Sequence, residues 1–117
     1  MILVLEIVGE HAGTFGSDSR KLFNGCGGFI GRDPKNDWVL PDRYISARHA
    51  TIHYEGDHFT IDDTSSNGIF VNSETEPIGK GHPRALRTGD MLAMDRFEVR
   101  VTLLDADGIG LPIRPVA

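Results

Sequence analysis

The sequence predicts an all-β domain, a sandwich or barrel built from many short strands. Three observations carry this. Short apolar or alternating runs recur along the chain with turn residues between them. Glycine is frequent, at 14 of 117 residues, which suits a chain that turns often. No window has the 3.6-residue periodicity of a long amphipathic helix. The length allows one domain with one core, and 39% hydrophobic with 25% charged residues is ordinary for a globular chain.

The elements follow in order. Residues 2–8 are aliphatic and β-branched and predict the first strand. The segment 11–19 is polar and reads as a loop, and 20–23 as a short second strand. Asn24-Gly25 is a tight-turn signal. Residues 27–32 predict a strand ending in Gly31-Arg32. Asp33-Pro34-Lys35-Asn36-Asp37 reads as a loop, because Pro34 stops regular structure and Asn and Asp favour turns. Trp38-Val39-Leu40 is a brief apolar strand, stopped by Pro41-Asp42, and 43–45 is a connection. Residues 50–54 and 58–62 alternate on either side of Gly56-Asp57 and predict a hairpin. After a polar loop at 63–68, a strand resumes at 69–71, followed by a long loop at 72–82. Leu86 marks a short strand, and Thr88-Gly89-Asp90 a turn. Residues 91–94 and 97–104 form the last hairpin, joined at Asp95-Arg96. The boundary between domain and tail is expected at 104/105, since 105–117 carries Gly108, Gly110, Pro112 and Pro115 and reads as a linker.

Composition excludes several functions. A single cysteine, Cys26, rules out an internal disulfide framework and fits a cytoplasmic protein with an incidental thiol. The apolar start at 1–8 is short, lacks a basic leader and is interrupted by Glu6, so it reads as a strand and not as a signal peptide or membrane span. Met1 suggests a native N-terminus and the first domain of a longer protein. A formal net charge of −5 argues against a general nucleic-acid or anionic-membrane binder. The charge is unevenly spread: the window 31–50 carries +1, leaving −6 to the remainder. An anion is drawn to that window.

Within and beyond it lies a stretch, 44–72, that sets a hydroxyl, a guanidinium, an imidazole and an amide at strand edges. Five motifs stand in order: Ile30-Gly31-Arg32; Asn36-Asp37-Trp38-Val39-Leu40; Ile45-Ser46-Ala47-Arg48-His49-Ala50; Asp63-Thr64-Ser65-Ser66-Asn67-Gly68-Ile69-Phe70-Val71-Asn72; and Leu86-Arg87-Thr88-Gly89-Asp90. Each alone is weak, but together and at these spacings the chain from about 28 to 104 resembles a forkhead-associated (FHA) domain. The resemblance implies an FHA-type β-sandwich of about eleven strands in two sheets. It also implies a module that binds phosphothreonine peptides through loops at one end, one of the Arg-based phospho-readers.

The resemblance assigns roles residue by residue. Arg32 matches the phosphate-binding arginine; the plainer reading pairs it with Asp33 or Asp37. Ser46 matches the serine whose hydroxyl and backbone N–H bind phosphate; the plainer reading is a turn serine. Ser66 stands where a hydroxyl contributes a further phosphate contact. Asn67 matches the asparagine that holds the peptide backbone, though an Asn-Gly turn alone would also account for it. His49 is expected to brace the loop, with Gly31 and Gly68 as structural support. Arg43 lies in the loop that reads the residue three after the phosphothreonine. Ala47 is a departure, since many members carry a basic or amide side chain there. Either affinity is lower, or Arg48 or Arg43 reaches in instead. The threonine methyl, worth about 0.8 kcal/mol when buried, accounts for a preference over phosphoserine.

The expected partner is a Thr-phosphorylated protein, made by a Ser/Thr kinase, in signalling or in a secretion apparatus such as type VI. No cofactor is implied, and the oligomeric state is left open. The alternative within the same fold is phospho-independent docking through a sheet face. A hydrolase built on Ser46, His49 and Asp62 or Asp63 lacks the Gly-x-Ser-x-Gly elbow. A metal site at His49, His53 and His58 lacks recognised ligand spacing. Gly25-Cys26-Gly27-Gly28-Phe29-Ile30 misses the last glycine of a nucleotide loop and has no helix after it.

Overall fold

The computed structural model describes residues 1–105. The expected tail at 106–117 lies outside the described residues. Among the described residues ten strands form two five-stranded sheets, close to the eleven expected. The strands are β1 (Ile2–Val8), β2 (Arg20–Phe23), β3 (Gly28–Gly31), β4 (Trp38–Val39), β5 (Ala50–Glu55), β6 (His58–Asp63), β7 (Ile69–Val71), β8 (Arg84–Ala85), β9 (Met91–Met94) and β10 (Phe97–Leu104). The first sheet runs β2-β1-β10-β9-β7 and the second β4-β3-β5-β6-β8.

Side-chain alternation explains the core. Leu3, Leu5 and Ile7 of β1 face inward, as do Phe97, Val99 and Val101 of β10. Ile52 of β5, Phe59 and Ile61 of β6, Ile69 and Val71 of β7, and Leu92 and Met94 of β9 complete the contact between sheets. Each such side chain contributes about 1.5–3 kcal/mol when fully buried. β1 pairs with β10 from Ile2↔Leu104 to Val8↔Glu98, which closes the two ends of the domain on each other. On the outer face the same register sets Glu6 opposite Arg100, and the two form an ion pair at 3.0 Å.

One local expectation is met and two details differ. Asn24-Gly25 does open a turn, in which the Gly27 N–H donates to the Asn24 carbonyl at 2.9 Å and the Cys26 N–H to Asn24 Oδ1 at 2.9 Å. The strands it joins belong to different sheets, so the turn carries the chain from one sheet to the other. Gly27 sits at φ +66, and a Cβ there would fall 2.2 Å from the Ile52 carbonyl oxygen. The stretch read as a loop at 11–19 contains the second of two short 3-10 turns, Gly9–His11 and Gly16–Ser19. The strand expected at Leu86 pairs one residue earlier, at Arg84–Ala85, while the Leu86 N–H still bonds the Phe59 carbonyl at 2.9 Å.

β4 lies parallel to β3 after a connection of only six residues, 32–37. That is possible because the loop returns to the level of Phe29 before β4 begins. The Asp37 N–H donates to the Phe29 carbonyl at 2.9 Å, and Asp37 Oδ2 accepts the Phe29 N–H at 2.8 Å.

Candidate functional site

Strand register gathers three loops at one end of the second sheet. Ile30 of β3 pairs with Ala50 of β5, and Ala50 with Asp63 of β6. The loop leaving β3, the segment entering β5 and the loop leaving β6 therefore start from the same level.

The first two loops are tied through backbone. The Arg32 N–H donates to the Ser46 carbonyl at 3.0 Å, and the Asp33 N–H to the Ala47 carbonyl at 3.2 Å. Asn36, which is buried, donates from Nδ2 to the Ala47 and Asp33 carbonyls at 2.7 and 2.9 Å. This approach explains Gly31: a Cβ would stand 2.3 Å from the Ala47 oxygen, far inside contact distance. Arg32 is exposed, and its Nη1 donates to the Arg43 carbonyl at 3.3 Å. The alternative ion pairs with Asp33 and Asp37 do not form. Asp33 Oδ1 accepts the Lys35 N–H at 2.9 Å, and Asp37 caps Phe29 as above.

His49 braces the second loop. It is fully buried, its N–H donates to the Ile30 carbonyl at 2.7 Å, and Nδ1 accepts the Ser46 N–H at 3.0 Å. Accepting at Nδ1 assigns the neutral tautomer with the proton on Nε2. Burial lowers its pKa, with the charges of Asp63 and Asp95 pulling the other way. A depressed folded-state pKa gives stability that is fully present above the ordinary value of about 6.5 and is lost as pH falls through the folded value. Urea midpoints at pH 7.5 and 5.5 should therefore fall less in His49→Asn, whose amide oxygen can replace Nδ1 as acceptor, than in the parent. An equal fall in both would remove His49 as the source.

The Ser46 N–H is thus committed to the imidazole, so it does not point into the cleft as the resemblance implied. The hydroxyl remains. Ser46 Oγ accepts the Ser66 N–H at 3.0 Å and lies 3.4 Å from Ser66 Oγ. His49 holds the serine's backbone and not its hydroxyl, so no nucleophile–base pair forms.

The third loop hangs on Asp63, which sequence reasoning passed over except as a triad candidate. Its buried carboxylate accepts the Ser65 N–H at 3.0 Å, the Ser65 hydroxyl at 2.6 Å and the Ile69 N–H at 2.8 Å. Ser65 Oγ in turn accepts the Gly68 N–H at 2.8 Å. The Thr64 hydroxyl donates to the Arg48 carbonyl at 2.8 Å, joining this loop to the second. Gly68 takes φ +93, and a Cβ there would press on Pro77 at 2.9 Å. Alternation could have flagged Asp63: Phe59, Ile61 and Asp63 share the inward face of β6.

The three loops enclose an open cleft of about 250 Å³ whose polar lining comes from Arg32, Arg43, Tyr44, Ser46, Ser66 and Asn67, with Ile45 and Ala47 also present. Five of the expected contact residues thus meet: Arg32, Arg43, Ser46, Ser66 and Asn67. Arg48 does not join them. Its guanidinium stacks on Phe29, 3.8 Å from the ring centroid, because Phe29 of the neighbouring strand offers it a face. The cleft holds two guanidinium groups and no carboxylate.

Tyr44, which sequence reasoning missed as a wall, is held by arginines. Arg43 Nη2 donates to its hydroxyl at 2.7 Å and its guanidinium lies 4.8 Å from the ring centroid. Asp42 steadies the turn beneath: Oδ1 accepts the Tyr44 N–H at 2.9 Å and Oδ2 pairs with Arg96 at 2.5 Å. Burial pushes the Asp42 pKa up, but the Tyr44 N–H and the Arg96 and Arg43 charges together hold it below its ordinary value.

Two further facts bound the chemistry. Among the described residues no three His, Cys, Asp or Glu side chains converge to hold a metal ion; His53 pairs with Asp62 at 3.4 Å and His58 bonds the Gly56 carbonyl at 3.0 Å. No helix among the described residues is long and apolar enough to cross a membrane.

Comparison with known proteins agrees with this geometry. The chain is 33% identical over 70 residues to an oxoglutarate dehydrogenase inhibitor of Corynebacterium jeikeium, a match covering 59% of this chain but 45% of that protein. Its fold is similar to Mycobacterium tuberculosis EmbR in complex with a low-affinity phosphopeptide, at TM-score 0.67 and 26% identity over 86% of this chain and 24% of that one. It is also similar to the FHA domain of an Arabidopsis thaliana protein, at TM-score 0.71 and 25% identity over 86% of this chain and 83% of that one. The family model for the FHA domain matches residues 28–95, a span that holds all three loops, and with more than half its length so matched the chain belongs to the FHA domain family.

Proposed function

We propose that this chain is a binding module for phosphothreonine peptides and recruits a Thr-phosphorylated protein partner. The observation that carries the reading is the cleft lined by Arg32, Arg43, Ser46, Ser66 and Asn67 with no carboxylate among its walls. Phosphothreonine brings nearly two negative charges and three acceptor oxygens. A guanidinium supplies charge and paired N–H donors, and short hydroxyls fill the remaining oxygens. In this reading Arg32 clamps the phosphate, Ser46 and Ser66 donate their hydroxyls, and Asn67 holds the peptide backbone. Arg43, on the same cleft, favours an acidic residue after the phosphothreonine.

The module binds and does not catalyse: no hydroxyl is activated by His49, and the buried imidazole is used as an acceptor for backbone. A kinase substrate is made where ATP is available, which supports a cytoplasmic interaction. A role in type VI secretion has only the family resemblance behind it and is not needed for this reading. The domain is expected to end at 104, with 105–117 as a linker.

Fluorescence anisotropy with a phosphothreonine peptide and its unphosphorylated twin tests the reading. The phosphopeptide should bind at least about tenfold more tightly, and less tightly as salt is raised. Equal binding of the two would instead favour phospho-independent docking.

A further inference from the structure

A second depression, of about 230 Å³, is lined by Asp33, Lys35, Asn36, Ala47 and Arg48. Ala47 lines both this depression and the cleft. A ligand chain that leaves the cleft across Ala47 therefore enters it directly, and the small side chain leaves the way open.

The lining of the depression carries two cations and one acid. Its floor is fixed by the buried Asn36 and its two hydrogen bonds to the Ala47 and Asp33 carbonyls, at 2.7 and 2.9 Å. Arg48 is pinned by stacking 3.8 Å from the Phe29 ring centroid. A guanidinium held by its face keeps the N–H donors on its edge available. Lys35 adds an exposed ammonium. Among the described residues neither cation forms an ion pair. Asp33, the one acid in the lining, offsets one of the two charges, and its Oδ1 is occupied by the Lys35 N–H at 2.9 Å. The balance is +1 on a chain whose net charge is −5.

We propose that this depression receives a second anionic side chain of the same ligand, a carboxylate or phosphate group flanking the phosphothreonine, so that the ligand is an acidic or doubly phosphorylated peptide. This rests on the phosphothreonine reading of the adjoining cleft. The stacking of Arg48 on Phe29 then has a consequence for recognition: the arginine is withdrawn from the first phosphate and presented to the second anion.

Isothermal titration of the full chain tests it. The peptides carry one phosphothreonine on a neutral background. In two further series a phosphoserine or a glutamate is placed in turn at each of the three positions on either side. An unphosphorylated twin completes the set. At least one doubly anionic peptide should bind about fivefold or more tighter than the singly phosphorylated one. Lys35→Ala and Arg48→Ala should each cut that advantage to about twofold or less, while Lys35→Ala leaves the singly phosphorylated peptide's Kd within about twofold. An advantage in the phosphoserine series alone identifies a doubly phosphorylated ligand, and one in both series an acidic ligand. No advantage at any position, or only an advantage that survives both substitutions, as one read by Arg43 would, overturns the inference while the phosphothreonine reading stands. A singly phosphorylated peptide that binds no better than its twin overturns both.

Discussion

Arg32→Ala is expected to weaken phosphopeptide binding by roughly ten- to hundredfold, the loss of about 1.5–3 kcal/mol that follows removal of a charge-assisted hydrogen-bonding partner. The side chain is exposed and makes one internal bond, from Nη1 to the Arg43 carbonyl at 3.3 Å. Its removal should therefore change stability by less than about 1 kcal/mol, which separates a binding effect from unfolding. Arg32→Lys keeps the charge but loses the planar pair of donors, so an intermediate loss is expected. Affinity unchanged in Arg32→Ala would leave Arg43 as the clamp. That outcome is disfavoured because Arg43 is already drawn to Tyr44, by a hydrogen bond at 2.7 Å and by stacking.

Asp63→Ala should be the most destabilising single change in the site. It strips the acceptor from the Ser65 N–H, the Ser65 hydroxyl and the Ile69 N–H, all in buried surroundings. Each buried donor left without a partner costs about 1–3 kcal/mol. A total of about 3 kcal/mol or more would lower the melting temperature by roughly 10 °C or more in a domain of this size. Asp63→Asn keeps one oxygen but sets an amide N–H₂ against a donor, so it should recover only part of the loss. Binding should fail with the fold, because the same carboxylate hangs the loop that carries Ser66 and Asn67. A melting temperature near the parent's in Asp63→Ala would mean that the 64–68 loop is held by other contacts.

Much of the fold could be read from short apolar or alternating runs and the turn residues between them. The hairpin of β5 and β6 emerges from a period of two around Gly56-Asp57, and the first strand and the last hairpin from short apolar runs bounded by turn residues. Asn24-Gly25 shows where that reading stops. A turn signal reports local backbone preference and not which sheet the next strand will join. The crossing is seen in the pairing, β2 with β1 and β3 with β5.

The site divides in the same way. Motif spacing brought Arg32, Arg43, Ser46, Ser66 and Asn67 onto adjoining loops, and the structure gathers them on one cleft. Arg48 is one residue from Ala47 in sequence, but its direction is decided by Phe29 across the strand pair, a contact that no motif contains. The Ser46 N–H looked free for a ligand because a sequence cannot show that His49 Nδ1 lies 3.0 Å from it. Asn36 was legible as turn material, but not as the group that ties the first two loops together, and nothing in the sequence marked Tyr44 as a wall of the cleft.

The most direct test of phosphothreonine binding at this cleft is a ¹⁵N–¹H correlation titration of the chain with a phosphothreonine peptide and, separately, with its unphosphorylated twin. The phosphopeptide should shift the amides of Arg32, Ser46, Ser66 and Asn67 and move the Arg32 side-chain signal, with saturation. The twin should leave those signals in place at the same concentration. Saturable shifts that map to an outer sheet face, or the same shifts with both peptides, would contradict phosphate recognition at this site.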